Sequence, residues 1–317
     1  MPGIRGQIHV DQPLTDLSLK YSNGALIADI VAPRVKVSKD SDLYYVYGRQ
    51  DQYAQDDLRA NGSPAKQIDS WAIDSTPGYK CLTHALKDKV TDEDRRNADM
   101  PINLNVDTVE ALTNSLMLTR EVRVASLYTT VANWGSGMYV TLSGTQQWNN
   151  ASFDSDSKTD AIKVRINTAK EAIRAQIGMY PNTIIIPAAV AQVVADDPDI
   201  KERVKYTNST LLVNGDLPPT LWNMRVLTPG SIKATSAKGQ TFTGGDVWGK
   251  DVTLAYLAPN PRSPKVMTAC MTFQSVDRTV RTWRDDEIEG DFYETKEVLV
   301  EKAVGTYCVY TIKAAIA

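Results

Sequence analysis

The chain has 317 residues, 42% of them apolar, with 35 Lys and Arg against 38 Asp and Glu for a formal charge of −3. That length supports one large domain or two modest ones with a real core, and the near-neutral balance argues against a dedicated nucleic-acid binder, which carries a basic excess or stripe. Three cysteines (Cys81, Cys270, Cys308) stand far apart with no CxxC spacing, which suits free thiols in a reducing compartment. Residues 1–10 hold no apolar run of the signal-peptide kind, and no stretch reaches the roughly 18 apolar residues of a membrane span. The expectation is a soluble protein made in the cytoplasm.

Residues 1–22 are polar and mixed, either a frayed terminus or an arm laid on something else. Residues 24–37 predict a short helical turn, then Pro33 and a β-like alternation of Val35 and Val37. Residues 40–83 open with a strand (Leu43, Tyr44, Tyr45, Val46, Tyr47) and continue through Asp51, Gln55, Asp56 and Asp57. They turn at Asn61-Gly62-Ser63-Pro64 and return through Ile68, Trp71 and Ile73 to Tyr79 and Leu82. The middle holds few apolar groups, and an isolated hairpin is marginally stable in water. It is either a flexible surface insertion or a hairpin ordered by lying across a neighbouring subunit.

Residues 90–100 form a short charged helix with Thr91 as its cap. Residues 105–134 contain no glycine or proline and predict a spine helix roughly 43 Å long, with Asn105 as N-cap. One apolar face carries Val109, Leu112, Leu116, Leu127, Val131 and Trp134; the opposite side carries Ala111, Leu118, Val122 and Ala125. A helix apolar on two sides is expected to be covered on both. Arg120 and Arg123 sit within the first stripe, so carboxylates are expected to reach them.

A loop with a weak strand at 138–142 follows. Thr159 is then expected to cap a helix whose Ile162, Ile166, Ala169, Ile173 and Ile177 bury one face, with Gly178 at C′. Strands are expected at 182–186, 211–213, 224–227 and 252–257. Helices should run from Pro187 through Val194 and over 199–204, and 233–249 reads as a loop. Pro259, Pro261 and Pro264 form a rigid connector. Residues 267–276, 280–283 and 292–293 look β, and 296–302 with 305–312 should close the chain as an antiparallel pair. The fold class is α+β, with an α/β subdomain over 181–264.

No motif for catalysis stands out. Residues 244–250 fit the first seven positions of a P-loop, but Asp251 stands where Ser or Thr should ligate magnesium, and a strand rather than a helix follows. Asp154, Asp156 and Asp160 alternate as in a calcium loop that lacks its central glycine and has Arg165 in place of the closing Glu. His9 and His84 are the only histidines, with no HExxH, and no serine lies in GxSxG. The expectation is no enzyme, no cofactor and no metal. Arg278, Arg281 and Arg284 lie beside Asp285, Asp286, Glu287, Glu289 and Asp291, a solvated strand or an inter-subunit patch that could also supply partners for Arg120 and Arg123.

The order of parts resembles the major capsid proteins of tailed double-stranded DNA phages, with the Hong Kong 97-type fold. The likeness lies in Leu26 to Pro33 (LIADIVAP) with Val35 and Val37, in Leu43 to Tyr47 (LYYVY), and in Asp94 to Asp99 (DRRNAD) with Pro101 to Leu104. It continues in Leu118 to Glu121 (LTRE), Pro181-Asn182-Thr183, Asp197 to Ile200 (DPDI) and Arg203 to Tyr206 (RVKY). The resemblance implies an N-terminal arm and lead-in (1–38), an E-loop (39–85), a P domain with the spine (86–180), an A domain (181–264) and a return to the P domain (265–317). It also implies a homo-oligomer of pentameric and hexameric capsomers in an icosahedral head, enclosing double-stranded DNA contacted non-specifically, with no membrane. Expected partners are separate scaffolding and portal proteins, since the arm starts almost at Met1, and a decoration protein; the location is the virion, assembled in the host cytoplasm. Subunit-interface candidates are Tyr53, Leu58, Ile68, Trp71, Arg120, Arg123, Arg281, Arg284, Asp285, Asp286 and Glu287. The alternatives are an encapsulin-type compartment or, from another class, a soluble α+β enzyme using 181–264.

Overall fold

The computed structural model describes residues 9–10, 26–44, 46–47, 57–59, 61, 64, 73–74, 77–97, 103–205, 217–237, 239–259 and 267–317. Two sheets and one long helix organise them. The first sheet takes β1 (His9–Val10), β2 (Arg34–Lys36), β7 (Leu82–Thr91), β15 (Cys270–Asp285) and β16 (Gly290–Ala303). The segments expected at 267–276, 280–283 and 292–293 are thus pieces of one long hairpin, β15–β16, whose ladder slips at bulges between Gln274 and Thr279. Strand β7 pairs antiparallel with β16 from Gly290↔Thr91 to Leu299↔Leu82, and β2 runs parallel to β15 with Val35 beside Phe273. Gly290 is required by close approach: a Cβ there would stand 2.8 Å from the Val90 carbonyl oxygen.

The spine is α3 (Leu104–Thr129), 26 residues. It follows α1 (Ala28–Val31) and α2 (Asp92–Asn97) in the chain. Thr91 caps α2 as expected: its hydroxyl accepts from the Asp94 N–H, and the Asp94 carboxylate accepts from the Thr91 N–H. The spine stops at Thr129, and a 3₁₀ turn, Val131–Asn133, follows. Asn103 holds the N-cap position, while Asn105 lies inside the helix and accepts from Arg95. Val109, Leu112, Leu116, Val124 and Tyr128 are buried on one side of the spine. The opposite side is covered in part among the described residues: Ala125 is buried, Leu118 and Val122 are half-buried, and Ala111 is exposed.

The second sheet is mixed, in the order β10 (Thr220–Leu221), β11 (Met224–Leu227), β9 (Thr183–Ile185), β14 (Val252–Ala255), β17 (Val309–Lys313), β8 (Tyr139–Thr141). Its central strands are buried on both faces: Ile184, Ile185, Val252, Leu254 and Ala255 are fully buried, with Thr183 and Thr253 buried beside them. Helix α4 (Ile162–Ile177) joins the same core through Ile162, Ile166, Ala169, Ile173 and Ile177, and ends at Gly178 with φ of 73°. Ala161, not Thr159, occupies its N-cap position, and the Thr159 hydroxyl bonds Asp160 instead. Helices α5 (Ala188–Ala195) and α6 (Pro198–Lys205) fall where expected. Within 233–249 a short ladder replaces the expected loop, β12 (Ile232–Ala234) with β13 (Gly244–Asp246).

Two expectations change. Residues 296–302 and 305–312 do not pair: β16 lies between β15 and β7, while β17 lies between β14 and β8. A unit cut at 181 and 264 would therefore omit two of the six strands of the second sheet, β17 and β8. Alternating β patterns state that a segment is a strand, not which strand it joins.

Candidate assembly surface

The segment entering the body is held by charge. Glu121 of the spine is fully buried and meets the open N-terminus of α1, accepting from the Ile27 N–H at 3.1 Å and the Ala28 N–H at 2.7 Å. It also accepts from the Trp248 indole at 2.6 Å. Burial pushes the Glu121 carboxyl above its ordinary value, and these donors pull against the rise. One residue away, Arg120 is 2% exposed. It pairs with Asp29 and donates to the Ala32 carbonyl and the Thr272 hydroxyl, both at 3.0 Å. Arg34 adds 2.8 Å to Asp29 and 3.4 Å to Glu297, which also meets Arg278 at 3.4 Å. Burial alone would raise Asp29, but Arg120 and Arg34 outweigh it and hold the carboxyl at about 2. Buried charges are tolerated when each finds a counter-charge and hydrogen bonds, and here they bind the lead-in, the spine and both long strands into one unit.

The root of the 40–83 hairpin is seated beside this network. Strands β3 (Ser41–Leu43) and β6 (Gly78–Lys80) pair with each other, as do β4 (Val46–Tyr47) and β5 (Ile73–Asp74), each as a two-stranded ladder outside the larger sheets. Tyr79 stacks on Phe273 with centroids 4.6 Å apart, and Tyr44 lies on the same ring at 5.4 Å. Both tyrosines are buried, in a cluster with Val35, Cys81, Met271 and Val298. Further out, Asp57 and Arg59 are exposed, and Leu58 is 78% exposed. The ribbon is fixed at its base, and residues 57–59 are exposed.

The far end of the β15–β16 hairpin is a second charged locus. Arg284 reaches Asp92 of α2 at 2.6 Å, Asp286 at 3.6 Å and Asp291 at 3.9 Å; Arg95 holds Asp291 at 2.5 Å and the Tyr293 hydroxyl at 3.2 Å. Asp285 accepts from the Glu287 N–H, while Asp286 and Glu287 stand exposed in the turn.

The structure sorts the residues singled out in the sequence. Arg120 and Arg123 do meet carboxylates, but these are Asp29 and Glu301 rather than the 285–291 acids. Arg120, buried in its own chain, has no surface to offer a neighbour. Tyr53, Ile68 and Trp71 lie outside the described residues, as do the strand expected at 211–213 and most of the proline connector. The P-loop-like stretch falls on β13, a turn carrying Trp248, and β14, with no helix start. Asp160 pairs with Arg165, and among the described residues no three His, Cys, Asp or Glu cluster as metal ligands. All three cysteines are buried and free, with burial pushing Cys270 and Cys308 up to about 12. Among the described residues no helix is long and apolar enough to cross a membrane. Sequence reasoning missed Glu121, Glu297 and Glu301; the last two show only as carboxylates at either end of the apolar run Val298-Leu299-Val300.

Solved structures share this arrangement. A phage-related protein from Bordetella bronchiseptica RB50 superposes with a TM-score of 0.75 at 24% identity, over 97% of this chain and 98% of that one. The capsid protein of cyanophage P-SCSP1u gives 0.63 at 11% identity, over 99% and 92%. The two-sheet body on its spine is the Hong Kong 97-type capsid fold. The sequence is 28% identical over 251 residues to the major capsid protein of Burkholderia phage BcepMu, 78% of this chain and 76% of that protein. The family described as phage capsid protein matches residues 76–313, and the chain belongs to it.

Proposed function

We infer that this chain is the major capsid protein of a tailed phage, a structural protein whose copies build the shell of the head. The observation that carries the reading is the ribbon of β3 to β6. Among the described residues it pairs only within itself, yet its base is locked on Phe273. Two strands alone do not hold together in water, so the ribbon finds its remaining burial on other copies. In this reading residues 39–85 are the E-loop, residues 1–38 the arm and lead-in, the first sheet with the spine the P domain, and the second sheet the A domain. Copies associate as pentamers and hexamers in an icosahedral shell around double-stranded DNA, with scaffolding and portal proteins as partners in the host cytoplasm. The exposed Ala111 edge of the spine and the outward Asp286 and Glu287 are surfaces left for such neighbours.

Negative-stain imaging and sedimentation of the purified chain, with and without scaffold, test this. Shells, capsomers or sheets are expected; a protein that stays monomeric at high concentration overturns it. Deleting residues 52–66 should leave the subunit folded and abolish assembly, and shells that survive the deletion remove the ribbon from the interface. Co-purified DNA is expected in particles from infected cells, whereas an enclosed enzyme would point to a cargo compartment.

A further inference from the structure

Where β15 passes the lead-in, its ladder carries one residue too many. Between the pairs Val276↔Val298 and Thr279↔Lys296, β15 supplies Asp277 and Arg278 while β16 supplies Glu297 alone. A bulge of this kind bends the strand and re-aims its side chains. Strand β2 runs beside it, with Arg34 opposite Thr272 and Lys36 opposite Gln274. Both cations therefore share the sheet face that looks at the spine, where Arg120 donates to the Thr272 hydroxyl. Between that face and Met117, one turn before Arg120 on the spine, lies a cavity of about 340 Å³. Its charged lining is Asp29, Arg34, Lys36, Asp277 and Arg278.

The carboxylates around this cavity are already taken. Asp29 pairs with Arg34 and Arg120. Glu297 gives one oxygen to both Arg34 and Arg278 at 3.4 Å each, the long end of a hydrogen bond. Asp277 pairs with Lys36, but both are exposed, and such a pair adds little. Among the described residues the cavity and the network behind it hold Arg34, Lys36, Arg120, Arg123 and Arg278 against Asp29, Asp277, Glu297 and Glu301, one positive charge in excess. Arg278 is 4% exposed, and a guanidinium stays charged wherever it is placed. Burial presses its pKa below the ordinary value, and Arg34 and Arg120 add to the drop against the pull of Glu297 and Asp29. We propose that this cavity binds a small oxyanion of the phosphate class, held by Arg34 and Arg278 inside and by the exposed Lys36 at the mouth. Guanidinium and ammonium groups are the side chains that hold phosphate oxygens, the first in a fixed fork and the second as a point charge. The volume is at the lower end of small-molecule sites, roughly 300 to 1,000 Å³, which suits a compact ligand with its water. Bound there, the anion ties the lead-in to the bulge of β15. A metal cation is the weaker ligand, because three cations line the walls and Asp29 already faces two guanidiniums.

The test titrates inorganic phosphate into the purified full chain, as wild type, Lys36→Gln and Arg278→Gln. Binding is read by calorimetry and stability by thermal melting, with sodium chloride at matched ionic strength as the control for screening. Phosphate also stabilises proteins in general by exclusion from their surface, so the specific part is the gain that the variants lose. Wild type should show a saturable site and melt about 3 °C higher in phosphate than in the matched chloride. K36Q, which gives up one charge-assisted hydrogen bond, should bind about tenfold more weakly, and R278Q should lose the site. The Lys36 side chain is 77% exposed, so K36Q should melt like wild type in chloride and carries the test even where R278Q does not fold. A wild type with no saturable site, or full binding retained by K36Q, overturns the proposal. A short DNA duplex that binds where free phosphate does not, and is lost in K36Q, also overturns it and gives the site to nucleic acid. None of these outcomes bears on the capsid reading, which concerns other surfaces.

Discussion

Arg123 of the spine grips Glu301 of β16 with both arms of its guanidinium, at 3.1 Å and 2.8 Å, and the same carboxylate lies 3.7 Å from the Arg120 Nε. Two arginines one turn apart therefore share one acid. Replacing Glu301 with Gln removes one of the two counter-charges from a site where Arg120 is 2% exposed, and should destabilise the subunit by about 3 kcal/mol. Arg123→Ala, whose side chain is 28% exposed, should lose only about 1 kcal/mol. Urea denaturation of the unassembled subunit separates the two.

Phe273 carries the root of the ribbon, stacked on Tyr79, tilted against Tyr44 and fully buried. Phe273→Leu keeps bulk but loses the ring faces, and should lower stability by about 1 to 2 kcal/mol. Hydrogen exchange should rise first in residues 41–44 and 77–80 while the second sheet stays protected. Equal loss of protection in β9 and β14 would show that the ribbon root is not a separable unit.

Asp29 supplies a pH dependence whose sign follows from its depressed pKa. Its contribution is fully present above the ordinary carboxylate value of 3.8 and is lost as the pH falls toward about 2. The side chain is 55% exposed, so solvent screening limits the contribution to about 1 kcal/mol. Glu121, raised by burial, changes stability in the opposite sense over its own titration. The difference between wild type and Asp29→Asn therefore isolates the Asp29 share: it should shrink between pH 4 and about pH 2 and be constant above. A difference that grows on acidification would refute the assignment.

Gly290 opens β16 where any Cβ would press on backbone. With the Val90 carbonyl oxygen at 2.8 Å and the Thr91 Cα at 3.0 Å, Gly290→Ala must push β7 from β16, at a cost of about 1 to 3 kcal/mol. Gly178→Ala meets no atom but must hold φ of 73°, and should cost about 1 kcal/mol. Thermal melts of the two variants, ranked in that order, check the distinction.

Local order was readable in the chain because it depends on neighbours a few positions away. The spine, the Thr91 cap, the isoleucine stripe of α4 with its terminal glycine, the strand at Ile184 and the short helices after it follow from periodicity and capping chemistry acting within a turn or two. The expectation that Arg120 and Arg123 meet carboxylates follows equally from the expense of burying an unpaired guanidinium.

Partnership across the fold was decided only in three dimensions. That Glu301 rather than an acid of the 285–291 turn answers the arginines depends on how β15 and β16 fold against each other. That β17 leaves β16 to join β14 and β8 depends on packing around Ile184 and Leu254, since alternation names a strand's buried face and not its neighbour. Glu121 shows the limit most directly: in sequence it is one more acid on a helix, and only the meeting of α1, the spine and the Trp248 turn makes it the acceptor that joins them. Hydrophobic patterning acts along the chain, while counter-charges and strand neighbours are chosen among groups that the sequence holds far apart.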